Sequence, residues 1–102
     1  MANLLRLTRS LYFDASVKIL HIVRNLEDQR AMSTVQAHVA AGNDVTVLLM
    51  HDAVLGCVRP QGCNVLACQD DVQARGGRTN VETLDYQEMV GLVFESDRVI
   101  TW

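Results

Sequence analysis

The chain has one proline and six glycines, which leaves little material for a linker. It lacks any excess of basic charge: nine Lys and Arg face twelve Asp and Glu, for a net charge of −3. Nucleic-acid binding normally needs a basic footprint, so that function is not expected. No apolar run approaches the ~20 residues that span a bilayer. Met1–Ser16 carries Arg6 and Arg9 within its apolar stretch and has no small-residue cleavage site, so it does not read as a signal peptide. Three cysteines are an odd number, from which no full disulfide framework can be built. A cytoplasmic, reducing location is the simplest expectation. What remains is a chain of 102 residues, 49% hydrophobic and 21% charged, a balance suited to one globular domain.

Alternating patterns then suggest strands and helices. Val17–Val23 is β-branched and mostly apolar, as a strand buried on both faces is. Asn25 offers a helix N-cap, with Asp28 three positions later. Met32, Val35 and Val39 form one helical stripe, and Gly42 marks its stop. Asp44–Met50 reads as the next strand, completing a βαβ unit with a parallel pair. The second half continues with a strand at Asn64–Cys68, a helix started by Asp70 with Gln73 and ended at Gly76-Gly77, and a strand at Val81–Leu84. Asp85 with Glu88 makes a capping box for a helix whose Tyr86, Met89, Val90, Val93 and Phe94 are expected on one face. Arg98–Trp102 fits a last short strand. The expected fold is α/β: a single-domain three-layer sandwich with a mainly parallel sheet of about five strands over residues 17–102. Residues 1–16 form an N-terminal extension outside this repeat. Leu4, Leu7 and Leu11 match a helical stripe, while Asn3–Thr8 fits an edge strand equally well.

Ligands of open α/β sheets bind beyond the carboxyl ends of the strands. There the sequence places His51, Asp52, Cys57 and Cys68. Cys68 reads in two ways. At the start of a helix its thiolate, the nucleophilic form, is favoured; Asp70 and Asp71 oppose that by raising its pKa. Alternatively it is a buried apolar residue that closes a strand. His51 either acts as a base or orients a thiol, or else is a half-exposed strand end, and Asp52 either shares that rim or caps a short helix through Ala53–Cys57. Cys57 and Cys63 flank a turn and are placed to pair under oxidation. The spacing of Cys57, Cys63 and Cys68 is not that of a zinc site, and no metal is expected. His21 and His38 read as structural. No glycine-rich nucleotide fingerprint and no G-x-S-x-G nucleophile motif occurs.

Four segments carry a family resemblance. They are Ile19-Leu20-His21; Val47-Leu48-Leu49-Met50-His51-Asp52-Ala53-Val54; Val65-Leu66-Ala67 followed by Asp71-Val72-Gln73-Ala74-Arg75-Gly76; and Leu84-Asp85-Tyr86 with Met89-Val90 and Leu92, closing on Trp102. In this order the chain resembles the DsrE/DsrF/DsrH-like sulfur-relay proteins, nearest the DsrH/TusB branch. The resemblance implies a parallel five-stranded α/β fold and a cytoplasmic location. It also implies homo-oligomers or hetero-oligomers with related DsrE/DsrF-type subunits, and sulfur donor and acceptor proteins as partners. In the DsrE/TusD branch the sulfur-bearing cysteine lies eight residues before the glycine of an Arg-Gly pair, and Cys68 stands eight before Gly76. On that reading the Cys68 thiolate attacks a donor persulfide and passes the sulfur to a downstream thiol, with His51 and Asp52 at the rim and no cofactor. The alternative that the branch offers is a structural or regulatory subunit with no transfer cysteine. The chain departs from the pattern at Gln36, where some members carry a cysteine, at the extra first sixteen residues, and at Asp70-Asp71, which replace small apolar residues.

Overall fold

The computed structural model describes residues 16–56 and 59–102. The expected N-terminal helix or edge strand, and Cys57 with its suggested pairing to Cys63, lie outside the described residues. The chain runs β1 (Lys18–Val23), α1 (Gln29–Ala40), β2 (Asp44–Leu49), a 3-10 turn (His51–Leu55), β3 (Asn64–Cys68), α2 (Gln69–Ala74), β4 (Glu82–Leu84), α3 (Tyr86–Glu95) and β5 (Arg98–Thr101). The five strands form one sheet in the order β4-β3-β2-β1-β5, and every pairing is parallel. The α/β sandwich expected from the sequence is therefore the fold.

Topology explains the layers. From β1 to β4 each strand adds to the same edge, so right-handed crossovers put α1, the 3-10 turn and α2 on one face. The chain then recrosses the sheet from β4 to β5, which puts α3 on the other. Val23, Val45 and Val47 pack with Ala31, Val35 and Ala53 on the first face, and Val54, Ala67 and Val72 extend that layer toward β4. On the second face Leu20, Leu48 and Leu84 meet Met89 and Leu92 of α3.

Local signals moved in four places. The N-cap of α1 is Asp28 rather than Asn25: its Oδ1 accepts the Ala31 N–H at 3.0 Å. Asp28 wins because three residues of turn, with Glu27 at φ 59°, are spent leaving β1. Likewise α2 starts at Gln69 behind Cys68, not at Asp70. Asp52 does not cap a helix. It lies inside the 3-10 turn, which ends at Leu55. The capping box of α3 is present on both sides, with Glu88 N to Asp85 Oδ1 at 2.8 Å and Asp85 N to Glu88 Oε1 at 2.9 Å. Its apolar residues, however, do not share one buried face. Met89 and Leu92 meet the sheet, whereas Tyr86 and Phe94 are 72% and 84% exposed. Gly42 ends α1 at φ +88°, a conformation that suits a residue without Cβ.

Candidate functional site

The carboxyl ends of β2 and β3 bring the 3-10 turn against α2, and there the sequence-predicted residues meet. His51 sits at φ 51°, a left-handed conformation uncommon outside glycine. Its backbone N–H donates to Asp71 Oδ2 at 2.7 Å. Asp52 Oδ1 accepts from Arg75 Nε at 3.0 Å. Arg75 also reaches the Asp71 carbonyl at 3.3 Å and its carboxylate at 3.6 Å. Asp71 and Arg75 thus clamp the turn to α2. Both Arg75 and Asp52 remain partly open to solvent, so this pair contributes little to stability by itself.

Cys68 lies beneath this clamp as the residue before α2. It is 4% exposed. Burial pushes its thiol pKa up, and the Asp71 carboxylate pushes the same way by its charge and by hydrogen bonding to the thiol. The backbone N–H groups of Asp71 and Asp70 act in the opposite sense and lose. The Asp71 carboxylate thus opposes the thiolate, whereas the backbone of both Asp71 and Asp70 favours it. Among the described residues no hydrogen bond joins the His51 ring to Cys68. The sequence brought His51, Asp52 and Cys68 to one rim, but the rim holds no imidazole–thiol pair. Cys63 is half-buried, and burial raises its thiol pKa as well.

A hollow of about 340 Å³ opens nearby at the carboxyl ends of β1 and β2, lined by Val23, Leu26, Met32, Leu49 and Leu55 among others, with Glu27 and Asp28 at its rim. Cys68 is not among its lining residues. Among the described residues no group of three or more His, Cys, Asp or Glu is placed to hold a metal ion. No described helix is long and apolar enough to cross a membrane.

One polar cluster escaped the sequence reading. His21, in the middle of β1, is fully buried. Trp102 Nε1 donates to His21 Nδ1 at 3.0 Å, and His21 Nε2 lies 2.9 Å from His38 Nδ1. An indole N–H can only donate, so His21 Nδ1 accepts, and Nε2 carries the proton toward His38. Burial, and then the neighbouring His38, lower the His21 pKa to about 4. The three residues tie the end of the chain to β1 and α1. The sequence reading took both histidines as structural, and here their rings join β1 to α1. Their link to Trp102, 81 positions from His21, had no signal in the spacing.

No protein-family model matches the chain, and no curated protein matches it.

Proposed function

We propose that the chain is a cytoplasmic structural or regulatory subunit of a DsrE/DsrH-type assembly, with no transfer cysteine. The observation that carries this reading over its rival is the state of Cys68. A sulfur carrier needs a thiolate that a donor protein can reach. Here Cys68 is 4% exposed, and its burial and the Asp71 carboxylate both favour the protonated thiol. A thiol of this kind serves as a small apolar residue that closes β3 beneath the clamp. Arg75, the arginine of the Arg-Gly pair, supports the same reading, because it is engaged in holding Asp52 and Asp71.

The rival is a persulfide carrier at Cys68. One feature favours it: the backbone of Asp71 and of Asp70 lowers the thiol pKa, which favours an anion there. The two readings part in one experiment. The folded, reduced protein is incubated with inorganic polysulfide, and each cysteine is followed by mass spectrometry. The subunit reading expects no sulfur on Cys68 until the protein is unfolded. Sulfur on native Cys68 that dithiothreitol removes, absent from Cys68→Ser, establishes the carrier instead.

A further inference from the structure

A second hollow, of about 380 Å³, lies between the end of the 3-10 turn and the loop that joins α2 to β4. Among the described residues, every charged side chain in its lining is an arginine: Arg59, Arg75 and Arg78. A chain with nine basic residues and a net charge of −3 thus gathers three of them around one cavity. Cys68 is not among the lining residues.

Local structure brings two of these arginines together. The helix α2 ends at Ala74, and Gly77 N donates back to Val72 O at 2.8 Å. Gly76 and Gly77 stand at φ +109° and +71°, where a Cβ would meet no atom within 4 Å. Glycine therefore serves the left-handed backbone there, not the space. The reversal carries Arg78 to the hollow that Arg75 already lines. The arginines differ in state. Arg75 is engaged by Asp52 and Asp71, which offset its charge and fix its side chain. Arg59 and Arg78 are exposed and, among the described residues, form no ion pair. Two like charges that face one hollow repel, and an anion between them turns that cost into attraction. Thr79 Oγ1 accepts from Val81 N at 3.2 Å, which leaves its hydroxyl proton for another acceptor. Asn80 adds amide donors to the same lining.

We propose that this hollow binds the phosphate monoester of a small organic molecule, with the phosphate between Arg59 and Arg78 and the carbon skeleton against Leu55. A guanidinium meets phosphate oxygens with paired N–H bonds. Two open arginines match the nearly two charges of a phosphate monoester at neutral pH, whereas a carboxylate brings one. The volume is that of a small-ligand pocket and exceeds what the phosphate alone fills. Leu55, 56% exposed, gives the remainder an apolar wall. The negative net charge of the chain opposes an extended polyanion, so a nucleic-acid backbone is not the occupant. This site is independent of the role of Cys68.

Titration of the full chain at low ionic strength tests it, with phenyl phosphate, inorganic phosphate and benzoate added in turn and backbone amide NMR reporting where each binds. Phenyl phosphate is expected to saturate with a Kd of about 1 mM or tighter, shifting amides of residues 54–56 and 75–80. Inorganic phosphate and benzoate are each expected to bind at least about tenfold more weakly. Arg78→Gln and, separately, Arg59→Gln are expected to weaken phenyl phosphate at least about tenfold each. Arg98→Gln, which removes an exposed charge on β5, leaves its binding unchanged. Unshifted amides of β1 and β2 report that the variants fold. Phenyl phosphate that shows no saturation by about 10 mM overturns the proposal. So does an equal loss in all three arginine variants, which is a general effect of charge. Benzoate or inorganic phosphate that binds as tightly as phenyl phosphate overturns it too, because the phosphate or the carbon skeleton then makes no contact of its own.

Discussion

The two faces of the sheet are closed in different ways. On the first, α1, the 3-10 turn and α2 cover the strands, and Ala31, Val35, Ala53, Val54 and Val72 are all buried. On the second, α3 is the one helix among the described residues that covers the sheet, and what it buries belongs to the strands: Leu20, Leu48 and Leu84. The order β4-β3-β2-β1-β5 is the cause, because three successive connections share one face and a single return takes the other. A similar apolar pattern in sequence therefore means core in α1 and surface in α3.

Paired substitutions break this comparison most strongly. Val35→Asp puts a carboxylate at a fully buried position of α1, and more than about 4 kcal/mol of stability is expected to be lost. Val93→Asp on α3 is expected to cost about 1 kcal/mol or less. Urea unfolding of the two variants beside the wild type reads the difference. Equal losses would mean that the second face is as closed as the first.

Acid sharpens the comparison from the first face. The folded His21 pKa of about 4 lies below the unfolded value of 6.5. The unfolded chain then takes up the proton first, so the stability tied to neutral His21 is complete above pH 6.5. It drains as the pH falls toward 4, by about 3 kcal/mol in all. Urea unfolding at a series of pH values is expected to show this slope, and His21→Phe to remove that part of it.

A smaller loss follows from the same cluster. Trp102→Phe keeps an aromatic ring but deletes the N–H that His21 Nδ1 accepts. About 1–2 kcal/mol is expected to be lost at pH 7, from a buried acceptor left unpaired. No change in the melting transition would mean that another donor replaces the indole.

Much of the fold was legible in the sequence, and the reason is burial. Strands covered on both faces read as continuous apolar runs, so β1, β2 and β3 stood within a residue of their true limits. The Asp85–Glu88 box announced α3 because both halves of that motif are local. Asn25 misled because an N-cap residue signals only a nearby start, and the turn after β1 consumed three positions. The face of α3 misled because periodicity finds a stripe without saying what covers it. At the candidate site the proximity of His51, Asp52 and Cys68 was legible from strand ends. The depth of Cys68 was not. It depends on the 3-10 turn and the Asp71–Arg75 clamp settling over β3, contacts between residues some twenty positions apart.

The central claim concerns that depth, and the most direct measurement is the rate at which Cys68 is alkylated across a urea series. Peptide mapping separates it from Cys57 and Cys63. The account predicts negligible modification of native Cys68, with a rate that rises only along the unfolding transition. Modification in native buffer at the rate of a free thiol would contradict it, and would return Cys68 to the role of a sulfur carrier.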